Sequence, residues 1–195
     1  MGAIRKTSRV LLIMAVFSRH DSMLDWAKER AVDAFGDIAL ESEPFFVDTF
    51  TSYYSASMGT QLSKKIWAFE KLIDPGSLAE IKIRTNRWEE EAAAQNNFDE
   101  ERPLNLDPGY LELGKLVLAS TKDHGHRIYL QQGIFAEVTL LFTQKHWEPL
   151  PWSYADYQSE IVRQFLDKCR QFLQNKFFIT KQKKRDSQTG DFQTE

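Results

Sequence analysis

One cysteine, Cys169, stands in 195 residues, so the chain cannot close an internal disulfide, and it has no paired-cysteine spacing of the zinc-ribbon kind. A reducing, cytoplasmic setting is the expectation. Long apolar runs are also missing: Val10 to Phe17 reaches eight residues, well short of the 18 or so that a membrane span needs. Arg5, Lys6 and Arg9 ahead of that run sketch a secretory leader. Ser18-Arg19-His20-Asp21 then stands where a small-x-small cleavage site belongs, and a buried first strand is the expected reading. N-myristoylation of Gly2 would want Ser or Thr where Lys6 stands. Charge of one sign is lacking too, since 25 Lys and Arg against 28 Asp and Glu leave −3, which excludes bulk attraction to nucleic acid. No internal repeat is present at solenoid periods.

What is present, 42% hydrophobic and 27% charged residues, suffices for one core burying roughly 70% of the unfolded surface. The expected organisation is a flexible N-terminus over 1–9, a single domain over 10–179, and a disordered polar tail over 180–195. Lys181, Lys183, Lys184 and Arg185 in that tail read as a solvated run, with nucleic acid or acidic lipid as the alternative contact.

Leu24, Ala27, Ala31 and Phe35 recur at helical spacing, with a Ser22–Asp25 capping pair before them and Gly36 where a helix stops. Ile38 to Val47 reads as a strand interrupted by Pro44, so the chain opens as β-α-β. Leu62, Ile66, Phe69 and Ile73 predict a second amphipathic helix. Ser77 and Glu80 form a capping box for a third, with Leu78, Ile81, Thr85 and Trp88 on one face. The six carboxylates of Glu89 to Glu101 are expected to solvate a helix end and loop.

Asp107-Pro108-Gly109 has turn chemistry, and Leu116 to Ala119 suits a strand covered on both faces. A three-residue hairpin loop at Gln131-Gln132-Gly133 pairs residues whose numbers sum to 264. That register sets Ile128 against Ala136 and Arg127 against Glu137, with Leu130 opposite Ile134. Ile128, Leu130, Ile134, Ala136, Val138 and Leu140 then share an apolar face. Ile161, Val162, Phe165, Leu166, Cys169, Phe172 and Leu173 form the buried stripe of a closing helix from about Gln158 to Phe178. The fold expected is α+β: a mixed sheet with an opening β-α-β unit, a late antiparallel meander and helices packed on the sheet.

Gly109 to Leu116, GYLELGKL, follows the phosphate-loop pattern until Leu116 replaces the Ser or Thr that binds magnesium, and a strand rather than a helix is expected after Lys115. Lys122, His124, His126 and Arg127 gather within six residues. Convergent cations suit a phosphate or carboxylate; the His-x-His pair lacks a third metal ligand. The candidate ligand-binding set is Lys122, His124, His126, Arg127, Lys115, Asp107, Tyr129 and Glu137. The plainer alternative is a cross-strand ion pair of Arg127 with Glu137. Asp107, Glu112, Asp123 and Glu137 are the candidate acids or bases, no nucleophile motif stands out, and Cys169 reads as core. The aromatic stretches Phe45 to Tyr54 and Trp147 to Tyr157 pack a core from outside or wall a pocket.

The strings ESEPFFVDTFTSYY with Met58-Gly59, FEKLIDPGSLAEIKIRTN, NLDPGYLELGKLVLASTK, HRIYLQQGIFAEVTLLF and PLPWSYADY resemble successive blocks of a bacterial family catalogued as domain of unknown function 4416, over about residues 10 to 175. The resemblance implies a single soluble bacterial domain and brings a loose nucleotide-binding, GTP-type label, but no catalytic residue and no cofactor. Three functions therefore stay open: binding of a small anionic ligand (a nucleotide or phosphorylated metabolite), a non-catalytic protein-interaction module, and a hydrolase or transferase using the same pocket.

Overall fold

The computed structural model describes residues 2–4, 7–95 and 97–189. Its strands are β1 (Leu11–Ser18), β2 (Ile38–Glu41), β3 (Phe45–Phe46), β4 (Ser63–Phe69), β5 (Asn105–Leu111), β6 (Lys115–Ser120), β7 (Ile128–Gln131), β8 (Ile134–Thr143) and β9 (His146–Pro149). Its helices are α1 (Asp21–Phe35), the short α2 (Ser55–Met58), α3 (Leu78–Ala94) and α4 (Glu160–Thr189). The strands form one sheet in the order β2-β4-β1-β5-β6-β8-β7, with β3 added to β4 and β9 to β8.

β1 is the axis of the fold. Every one of its residues is buried, because helices cover both faces of the sheet around it. Alternation sends Leu11, Ile13 and Ala15 toward Val162, Phe165, Leu166, Cys169 and Leu173 of α4. Leu12, Met14 and Val16 go the other way, toward α1 and the Ile81, Trp88 and Ala92 face of α3. Helices laid on two faces of a sheet make the domain α+β, as expected, but the sheet is not mixed. Every pairing among the described strands is antiparallel. The opening β-α-β unit survives because β1 and β2 are both antiparallel to β4, which is inserted between them.

Four local expectations are overturned. The stretch around Leu62 to Ile73 is not a helix: Ile66, Trp67, Ala68 and Phe69 are all buried in β4, whose two covered faces give a continuous apolar run that a helical period also fits. Asp107-Pro108-Gly109 is not a turn but lies inside β5, where Met14 pairs with Pro108. α3 ends at Ala94, within the stretch expected to hold a helix end and loop, but its expected capping box is not made. Its entry is held by the Asp74 carboxylate accepting from Gly76 N–H (2.9 Å), and neither Ser77 at α3 nor Ser22 at α1 supplies a side-chain cap. The late hairpin keeps Ile128 against Ala136 and Tyr129 against Phe135, but Gln131 meets Ile134, so Leu130 bulges and the loop is Gln132-Gly133, both at positive φ. That two-residue loop matches the twist of an antiparallel ribbon. Ile128, Tyr129 and Leu130 are exposed on edge strand β7, so the apolar face drawn through Ile128 and Leu130 is buried only from β8 inward.

Gly36 ends α1 at φ 90° and donates to Val32 C=O, as expected. α4 carries the stripe read from sequence but extends to Thr189, so the expected polar tail falls on its last turns and on residues 190–195, which lie outside the described residues. The expected N-terminal segment is exposed at 2–4 and 7–9; 1, 5 and 6 lie outside the described residues. No described helix is long and apolar enough to cross a membrane.

Candidate functional site

The β5–β6 ladder stops at Gly109↔Leu118. Glu112 N–H donates to Lys115 C=O, and two-residue alternation turns Tyr110 and then residue 108 toward β6. Residue 108 is proline and has no N–H to give, so the ladder ends there. Beyond it Asn105 to Asp107 stay bonded to β1 and Ala119 and Ser120 to β8, and the sheet splits. A cavity of about 900 Å³ opens at the split, reached by α3, by the Phe50 to Tyr54 loop and by the Trp152 to Tyr157 strap.

A closed ring of polar contacts borders one side. Arg102 Nη2 donates to Asn105 Oδ1 (2.6 Å) and Asn105 Nδ2 to Asp107 Oδ2 (2.7 Å). Lys82 Nζ, from the buried face of α3, donates to Asp107 Oδ1 (3.2 Å) and to Leu106 C=O (2.8 Å). Leu106 N–H donates to Glu89 Oε1 (2.6 Å), and Glu89 Oε2 returns to Arg102 (3.3 Å). Nearby, Lys64 of β4 pairs with Asp156 of the strap (2.5 Å) over the ring of Tyr157.

The two ring carboxylates are tuned in opposite directions. Burial pushes Asp107 up, but Lys82, Lys64 and the Asn105 amide outweigh it and hold the carboxyl below its ordinary range. Burial pushes Glu89 up and prevails over Lys82, the Leu106 N–H and Arg102. A depressed carboxyl adds stability above its unfolded pKa that is lost as pH falls through the folded value. A raised one adds stability at low pH that is lost as pH rises from the unfolded value to the folded one. Melting curves from pH 3 to 8 are therefore expected to separate the variants. Asp107→Asn flattens the acid limb, whereas Glu89→Gln gains on the parent as pH rises. Parallel curves for the two variants would refute this assignment.

On the opposite wall Glu137 is a buried node. Its Oε2 accepts from Arg127 Nε (2.7 Å) and lies 3.0 Å from His126 Nε2. Arg127 also donates to Ser120 Oγ (2.7 Å), Lys122 C=O (2.9 Å) and Tyr154 Oη (2.9 Å). His126 is stacked between His124 (5.8 Å) and Trp152 (4.9 Å). Lys122 Nζ donates to Tyr53 Oη (2.8 Å) and lies 4.9 Å from that ring, and its hydrogen bond draws the Tyr53 phenol down.

Six of the eight sequence candidates border this cavity: Lys122, His124, His126, Arg127, Asp107 and Glu137. Lys115 and Tyr129 do not. Lys115, at the far end of β6, faces Glu112 (3.7 Å), and Tyr129 packs on Phe135 on the exposed edge. The cations are also not the bare cluster expected. Glu137 neutralises Arg127 and engages His126, and among the described residues Lys122 alone of the four has neither an ion pair nor a histidine ring. The Gly109 to Leu116 string is no phosphate loop, since Gly109 to Leu111 belong to β5 and Lys115 opens β6 with no helix after it. Cys169 is fully buried in the α4 stripe, where burial pushes its thiol far up, and it borders no site.

The sequence pattern does not single out Lys64, Lys82, Glu89 or Asp156, whereas Tyr157 belongs to the aromatic stretch expected to pack a core or wall a pocket, and it borders the cavity. The signal for Lys82 is its place on the buried face of α3, four residues after Leu78 and three before Thr85. For Glu89 the signal lies in the acidic stretch read as solvated.

The chain matches no curated protein and no solved structure. A family model does match residues 8–172, and over that span the residues that split the sheet and border the cavity are all included. The chain thus belongs to the family described as Domain of unknown function (DUF4416).

Proposed function

We propose that the cavity binds a small anionic ligand, a phosphorylated metabolite or nucleotide, whose anion rests against Lys122 and His124. The observation that carries this is the charge pattern of the cavity. Lys64, Lys82, Arg102 and Arg127 each have a carboxylate partner, whereas Lys122 has none among the described residues and stands exposed at the lip beside His124. Exposed Glu90 on α3 is the corresponding carboxylate without an ion pair among the described residues, on another part of the lip, and sets a polarity across the opening. A cavity this size, with aromatic walls and polar groups converging on one space, has the make-up of a small-molecule site.

A melting-temperature panel of sugar phosphates, nucleotides and dicarboxylates tests this. A ligand at 100 times its Kd adds about 2.7 kcal/mol, or roughly 5–10 °C for a domain of this size. Lys122→Gln is expected to leave the unliganded melting temperature within about 2 °C, as exposed substitutions do, and to weaken the anion at least about ten-fold. A panel in which no anion shifts the melting temperature would refute the reading. The interaction-module alternative keeps one observation in its favour, the uncovered Ile128, Tyr129 and Leu130 of β7, and it predicts that silent panel.

A further inference from the structure

We infer that the inner part of the cavity recognises a polyhydroxylated group, so that the ligand is an anionic sugar or polyol; this deepens the anion-binding reading and rests on it. Two facts about the interior lead there. Its charges are already matched, Lys64 with Asp156, Lys82 with Asp107 and Arg102 with Glu89, so a further ammonium or carboxylate placed among them would add an unpaired charge. Its neutral polar groups are the ones left open. Tyr157 is 2% exposed, borders the cavity, and its hydroxyl is buried with no hydrogen-bond partner among the described residues. Tyr54 Oη and the Asn86 amide border the same space and likewise make no side-chain hydrogen bond among the described residues.

A buried hydroxyl without a partner is costly, and such groups call for an explanation in a native fold. Phenol and amide groups can each donate or accept, which suits ligand hydroxyls that do the same. Asp107 Oδ2 and Oδ1 each accept one protein donor and keep further acceptor capacity for a vicinal hydroxyl. The rings of Tyr54 and Tyr154 supply the apolar surface against which the C–H face of a sugar packs. The phosphate or carboxylate of the same molecule then reaches Lys122 and His124 at the lip.

The test compares glucose 6-phosphate with cyclohexylmethyl phosphate, a six-membered ring bearing phosphate but no hydroxyls, by titration calorimetry on the full chain. The parent is expected to bind the sugar phosphate at least about ten-fold more tightly, the worth of one well-made hydrogen bond. Tyr157→Phe and Tyr54→Phe are each expected to shrink that preference while leaving cyclohexylmethyl phosphate affinity unchanged. Tyr157→Phe deletes an unpartnered hydroxyl, so its melting temperature should equal or exceed the parent's. Equal affinity for the two phosphates overturns the polyol inference and leaves the anion reading standing; binding of neither overturns both. A preference that survives in both Phe variants, or a melting temperature that falls in Tyr157→Phe, also overturns it.

Discussion

Glu137→Ala is expected to cost about 3–5 kcal/mol of folding stability, lowering the melting temperature by roughly 6–20 °C. The side chains of Glu137 and Arg127 are 2% and 4% exposed, so truncating the acid strands a guanidinium where water cannot replace the lost partner. His126 loses its contact at the same time, and the stack of His124, His126 and Trp152 loses the hydrogen bond that fixes its middle ring. Substituting both partners separates burial from pairing. Arg127→Met with Glu137→Leu removes two charges and keeps volume, and such swaps are often neutral. The double variant should thus recover most of what Glu137→Ala loses, while the wall of the cavity loses its polarity. Chemical denaturation of the single and double variants measures this, and a single-variant loss below about 1 kcal/mol would show that the node is not the anchor described here.

Gly109→Ala is the second large effect. A Cβ at this position would lie closer than 3.0 Å to the Val117 carbonyl and 2.6 Å from Leu118 Cδ2, and the former is backbone that cannot swing aside. The strain falls on the last rung that still joins β5 to β6, next to the proline that ends the ladder. Overpacking of this kind costs about 1–3 kcal/mol, and the only relief is to widen the gap between the two strands. The expected result is a melting temperature lower by roughly 2–12 °C, together with faster amide exchange in Leu116 to Leu118 than in β1. Unchanged exchange in β6 would mean that the split does not originate at Pro108 and Gly109.

What could be read in the sequence follows from how local its cause is. β1 announces itself because the eight-residue apolar run Val10 to Phe17 fits a strand covered on both faces and little else. β4 does not, because Leu62, Ile66 and Phe69 satisfy a helical period by coincidence when both faces of a strand are apolar. β5 is hidden for the opposite reason: Asp-Pro-Gly has turn propensity, and pairing along β1 from Leu111 to Asn105 overrides it. The Arg127–Glu137 contact was legible because the bulge at Leu130 takes up the residue by which the two-residue loop falls short of the expected three, so the register before it is the one expected. Lys64, Lys82, Glu89 and Asp156 were not legible. They come from three separate parts of the chain, β4, α3 and the strap, and each looks like an ordinary solvated charge until the split sheet brings them to one cavity.

The most direct test of the account is where an anion lands. Amide ¹H–¹⁵N spectra recorded during a glucose 6-phosphate titration are expected to shift at Asn105 to Asp107, Ser120 to Arg127 and Tyr154 to Tyr157, with Lys115 and the last turns of α4 unmoved. Shifts centred on Lys115 or on α4 beyond Leu173, with the split end of the sheet silent, would contradict it.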